Sequence, residues 1–181
     1  MPSGPWSPEP FAAPHVPSML AGMSPTAPGI APLDVVLTPL CTIDVVFGEV
    51  PSFTTPVGTR MLFGVAGGRV EGDRLRGTVV PGSADWLTIG DDLIGRVDVR
   101  AVLRTDDGAS IQMTTSGRAN LGEHAGRFLA GETVTSSEAY IRSLPLFETS
   151  DTRYAYLNGL VTLAYCDISL TGVHYRVYTV E

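Results

Sequence analysis

From Asp34 onward, apolar and polar residues alternate in short runs, and turn residues interrupt them roughly every 10 positions, the spacing of a β-sandwich or barrel. The pattern predicts strands over 35–48, 59–70, 74–81, 85–90, 94–105, 109–119, 138–147, 159–169 and 172–180. Gly67-Gly68, Glu71-Gly72-Asp73, Asp91-Asp92, Asp106-Asp107-Gly108 and Thr171-Gly172 supply the positive φ or side-chain hydrogen bonds that hairpins need. Two helical turns are predicted over 123–131 and 151–159, the second with Asp151 as its cap and Gly159 as its end.

The stretch RVDVRAVLR alternates strictly. Val97, Val99, Ala101 and Leu103 share one face, and Arg96, Asp98, Arg100, Val102 and Arg104 share the other. The charged face points either to solvent or into a lumen, and one strand does not decide which. Over 140–148 the face carrying Tyr140, Arg142, Leu144, Leu146 and Glu148 is expected to point inward, because an outward Tyr with two Leu would be sticky. Arg142 and Glu148 would then need buried partners.

Residues 1–33 read differently. They hold nine of the fourteen prolines and no sustained period, so an irregular arm is expected before a barrel domain at 34–181. Trp6, Phe11, Met19, Leu20 and Met23 leave two readings open, a solvated tail or an arm that packs on its own barrel or on a neighbouring subunit. Met1, Met19 and Met23 are alternative starts.

Composition narrows the chemistry. The 181 residues suffice for one core, and 44% hydrophobic against 17% charged residues, with 20 Gly, suits a turn-rich globular protein. All 12 basic residues are Arg, which excludes a Schiff-base lysine, a pyridoxal-phosphate anchor and a P-loop lysine. The net charge of −7, without a basic stripe, argues against nucleic acid and anionic membrane as partners. Cys41 and Cys166 lie far apart and are expected to be buried free thiols. His15, His124 and His174 show no metal spacing, and neither a metal nor a cofactor is expected. No Lys or Arg precedes Arg60, so no basic signal region is read, and a cytoplasmic protein is expected.

Several motifs in order carry a family resemblance: GDRLRGTVVPGSADWLTI, RVDVRAVLRTDDGASI, YIRSLPLFETSDTRYAYLN and VHYRVYTV. Together they resemble the bacterial and fungal domain-of-unknown-function family three-two-three-seven over about residues 35–180. Ser83 stands where a second Gly is usual, and Tyr156 where a Trp is common. The resemblance implies an all-β fold, an antiparallel calycin-like β-barrel of about eight to nine strands with one or two short helices. It implies little about reaction, because fold does not fix function.

The candidate site centres on Asp85, which follows the Pro81-Gly82 turn beside Trp86. Asp85 either receives backbone N–H groups or acts as a general base at a barrel rim, with Trp86 desolvating it or stacking on substrate. Arg100 and Arg142 are candidates to hold an oxyanion, and Glu148 a second acid/base. Asp98, Tyr140, Tyr154 and Asn158 are candidate substrate-orienting groups, and TDDG at 105–108 reads as a hairpin turn. The leading expectation is a cofactor-independent isomerase, cyclase or lyase of secondary-metabolism type that moves protons on a small molecule in the lumen. The alternatives are a non-catalytic small-molecule binding barrel, or an interaction protein that exchanges its arm within a homo-oligomer.

Overall fold

A ring of antiparallel strands closes on itself in the computed structural model, which describes residues 34–181. The arm and its side chains, His15 among them, lie outside the described residues. Ten strands form one sheet: β1 (Leu37–Phe47), β2 (Ser52–Thr55), β3 (Gly58–Glu71), β4 (Gly77–Val79), β5 (Ala84–Ile89), β6 (Gly95–Thr105), β7 (Ser110–Asn120), β8 (Tyr140–Glu148), β9 (Thr162–Ser169) and β10 (Gly172–Val180). β6 to β10 pair in sequence, and β1 closes the ring by pairing with both β10 and β3. β4 and β5 occupy one position between β3 and β6, so the barrel has eight strands around its circumference. β2, too short and polar to read as a strand in the sequence, extends β3 as a small hairpin.

The two-residue period decides what lies inside. Ile43 and Val45, Met61 and Phe63, Val99 to Leu103, Ile111 and Met113, and Val173 to Val177 put their alternate, apolar members into the interior. β8 follows the opposite phase to the one expected. Ile141, Ser143, Pro145 and Phe147 face inward, and Tyr140, Leu144, Leu146 and Glu148 are exposed on the outer face beside a half-buried Arg142. Turning this strand over would have buried Arg142 and Glu148 without partners, a larger penalty than leaving Leu144 and Leu146 about half exposed.

The two ends of the barrel are closed differently. At one end Val70, Leu75 and Leu157 are buried to 1% exposure or less, Leu157 coming from the 3-10 turn Ala155–Gly159. The TDDG turn belongs to this end. Asp107 accepts hydrogen bonds there from Arg153 at 2.8 Å and from Tyr154 at 3.0 Å. Asp151 accepts the Arg153 amide but does not cap the 3-10 turn. At the other end a single short helix, Ala125–Leu129, brings Phe128 over the opening. An ion pair of Arg127 with Glu138, and the bridge between Val134 and Ile168, fasten the connection that carries it.

Both cysteines are buried free thiols, as expected. Among the described residues no helix is long and apolar enough to cross a membrane.

Candidate functional site

The break between β4 and β5 places the site. Pro81-Gly82 turns the chain with Gly82 at φ +94°, a conformation that favours glycine. Ser83 then stitches the break into the barrel. Its hydroxyl donates to the Val80 carbonyl at 2.8 Å and accepts the Val102 amide at 3.2 Å. A glycine at this position would lack both bonds, so the Ser that departs from the family pattern adds a side-chain tie to β6 beside the backbone bond from the Val80 amide to the Val102 carbonyl.

Two residues beyond Ser83, Asp85 lies opposite Phe63 on β3 and Val99 on β6. Directly paired residues share a face, and both of these are buried, so Asp85 points into the barrel. Its neighbour Trp86 points out and is 47% exposed. The β5–β6 ladder has no residue pairs at Trp86 and Leu87, and there Asp85 Oδ1 accepts the Asp98 amide at 3.1 Å. The amide thus comes from the neighbouring strand rather than from the turn before Asp85.

Inside, Asp85 borders a cavity of about 50 Å³ beneath Phe128. Phe47, Phe63, Leu87, Val97 and Ile141 supply apolar walls, and Tyr175, Cys166, Ser143 and Ser169 add polar atoms, with Arg142 at the edge. The Phe47 and Phe63 rings meet at 4.9 Å between centroids, tilted by 51°. Asp85 and Tyr175 also border a smaller void deeper in the barrel. The Tyr175 hydroxyl makes no hydrogen bond to a described residue, and the Ser143 hydroxyl lies 3.5 Å from Cys166 Sγ.

Burial governs the charges here. It pushes the Asp85 carboxyl up from 3.8 to about 6, against the Asp98 amide, which favours the ionised form, and with help from the Asp98 charge. Burial likewise pushes Tyr175 well above its ordinary value, and the charges of Cys166 and Asp85 add to this. The Cys166 thiol rises to about 11 for the same first reason, so it is a neutral wall group rather than a nucleophile. Asp85 forms no ion pair with any described residue, whereas nine arginine–carboxylate pairs are formed among them.

The other sequence-predicted residues do not gather around Asp85. Arg100 pairs in register with Ala84 and Thr114 on the outer face, where it forms an ion pair with Asp98, both side chains being more than half exposed. Arg142 reaches the cavity's edge, but its guanidinium stacks on Tyr165 at 3.8 Å and donates to the Ile141 and Ser136 carbonyls. Glu148 and Tyr140 are exposed on the same outer face of β8. Tyr154 is tied to Asp107, and Asn158 exchanges two 2.9 Å hydrogen bonds with the Thr149 backbone. Of the nine predicted residues, only Asp85 faces the lumen with its functional group.

Tyr175 and Ser143 were not singled out in the sequence, and Cys166 was read only as a buried free thiol. The alternation of VHYRVYTV places Tyr175 with Val173 and Val177, and this was the available signal. Elsewhere, on the outer face, His174 Nδ1 lies 2.6 Å from Asp44, but no group of three metal-ligating side chains occurs among the described residues.

Comparison with known proteins adds a family and a fold. A family model described as "Protein of unknown function (DUF3237)" matches residues 35–180. A UPF0311 protein of Clostridium acetobutylicum is 32% identical over 102 residues, which is 56% of this chain and 65% of that protein, so the match spans just under two thirds of the relative's length. The crystal structure of a conserved protein of unknown function from Rhodopseudomonas palustris superposes with a TM-score of 0.79 at 25% identity, covering 83% of this chain and all of that one. A structure described as an enzyme from Penicillium herquei, 22% identical, superposes with a TM-score of 0.64 over 84% of this chain and 99% of its own; that likeness shows the fold alone.

Proposed function

The chain belongs to the DUF3237 family of proteins of unknown function, and on that premise we propose that its barrel transfers protons on a small, largely apolar molecule held in the lumen. One observation carries the reading: a carboxylate, Asp85, is held in an apolar cavity with its acidity shifted to about 6, where it can both take and return a proton near neutral pH. A carboxyl of ordinary acidity on the surface would be a much weaker base.

In this reading Asp85 takes a proton from carbon or hydroxyl, and the unpartnered phenol of Tyr175 donates a hydrogen bond to the oxygen on which charge develops. Arg100 and Glu148 have no part at the reacting atoms, because their side chains lie on the outer face, and the Arg142 guanidinium at the rim is engaged by Tyr165 and two carbonyls. Isomerases, cyclases and lyases all use such a step, and the lumen contains nothing that selects among them. The cavity of about 50 Å³ suits a small reacting group, so a larger molecule requires Phe128 to move aside.

The test needs no known product. Small ketones incubated with the protein in D2O report proton transfer as deuterium uptake at the carbon beside the carbonyl, read by mass spectrometry. The wild type is expected to accelerate uptake, and Asp85→Asn to lose about 10²- to 10⁴-fold of that acceleration. Equal uptake in both would remove Asp85 from the reaction. The fact that only one of the four predicted catalytic groups faces the lumen favours a second reading, a binding barrel without chemistry; binding of ketones with no uptake in the wild type would establish it.

A further inference from the structure

The lumen has an unbalanced charge. Among the described residues that line it, Asp85 is the one carboxyl group, and its side chain faces the space with no partner of opposite sign. Arg142 at the rim is the one cation among the lining residues, and its guanidinium is committed to the Tyr165 ring and to two carbonyls. Tyr175 and Cys166 are held neutral by burial. One Asp85 oxygen receives a single backbone amide, and the other receives no hydrogen bond from a described residue. A carboxylate in apolar surroundings costs several kcal/mol unless a cation or several donors satisfy it. Nothing in the wall does so.

The walls around that carboxylate are aromatic. Phe47, Phe63, Phe128 and Tyr175 all line the same space, and ring faces attract a cation while an anion gains nothing from them. A half-buried acid in a space lined by four aromatic rings is the complement of a protonated amine attached to a small apolar body. It is a poor host for a carboxylate or phenolate ligand, because Arg100 is on the outside and the Arg142 guanidinium at the rim is taken up by Tyr165 and two carbonyls.

We propose that the lumen is a receptor for cationic ligands, taking a protonated amine with its nitrogen on Asp85 and its apolar part among Phe47, Phe63 and Phe128. This rests on the reading of the lumen as a ligand site and adds the ligand's charge. It is independent of whether chemistry follows binding.

Three probes of matched size test it on the full chain by isothermal titration calorimetry at pH 7.5: n-butylamine, 1-butanol and butyrate. Butylamine is expected to bind at least about tenfold more tightly than butanol, and butyrate more weakly than either. Asp85→Asn is isosteric and neutral, the form the apolar wall already favours, so it should fold; it is expected to cut butylamine affinity by about tenfold or more and to leave butanol nearly unchanged. Lowering the pH from 7.5 to 5 should cost butylamine about tenfold as Asp85 takes up its proton. Of the other groups around Asp85, burial keeps Tyr175 and Cys166 neutral, the Arg142 guanidinium stacks on Tyr165, and Asp98 pairs with Arg100 on the outer face. Butanol or butyrate binding as tightly as butylamine would overturn the cation preference and leave the lumen as a ligand site. Butylamine binding undiminished in Asp85→Asn would overturn the placement. Binding of none of the three would overturn the proposal and the ligand-site reading together.

Discussion

At one end of the barrel Val70, Leu75 and Leu157 leave at most 1% of their surface accessible, whereas at the other end the same kind of alternating strands enclose a cavity with a carboxylate, a phenol, a thiol and two serine hydroxyls. Both ends obey the two-residue period, and both have a short helical segment as a stopper. The difference lies in what the inward positions carry. Where they are aliphatic, interdigitation fills the space and contributes stability. Where Asp85, Ser143 and Tyr175 take those positions, packing is incomplete and stability is given up for a polar interior.

Removing packing at the sealed end should have the largest effect. Leu157→Ala is expected to destabilise the fold by about 2–5 kcal/mol in chemical denaturation, with ligand binding at the opposite end retained wherever the protein is folded. A loss under 1 kcal/mol would mean that this end is no better packed than the other.

The open end should respond in the opposite direction. Below about pH 4 Asp85 is protonated in both the folded and unfolded chains, so Asp85→Asn changes little there. Between about pH 4 and 6 the unfolded chain releases its proton while the folded chain holds it, and folded-state stability falls as pH rises. Above pH 6 the full penalty is present. Asp85→Asn is therefore expected to remove that slope and to stabilise the protein at pH 7.5 by up to about 3 kcal/mol, read from denaturation midpoints across the pH range. A destabilised Asn variant at pH 7.5 would show that the carboxylate is better satisfied than its surroundings indicate.

The smallest effect belongs to the outer wall. Arg100→Ala removes an exposed ion pair with Asp98 and should change stability by no more than about 0.5 kcal/mol, with deuterium uptake and amine binding unaltered. A large loss of either activity would bring Arg100 back to the site.

The strands were legible in the sequence because alternation and turn residues are local. All nine expected strands occur, and the one omitted, Ser52–Thr55, has four residues and no apolar alternation. Asp85 was legible for the same reason, as an acid at the end of a turn entering a strand. The facing of β8 was not. Alternation sorts residues into two faces, but the choice of inner face depends on neighbours, and a Tyr with two Leu opposite an Ile and a Phe gives nearly balanced candidates. Arg100 and Asp98 carried the same ambiguity. Tyr175, Cys166 and Ser143 have no motif, and only the pairing of β8, β9 and β10 brings them to Asp85.

The break between β4 and β5 has a practical side for anyone wishing to alter the protein. Residues 80–83 carry Asp85 into the lumen, yet they lie between strands, and Ser83 bonds to β6 through its side chain. They form a short exchangeable cassette. Changing its length or its Ser would re-aim the acid while the paired registers of β3 and β6, which keep the barrel closed, stay as they are.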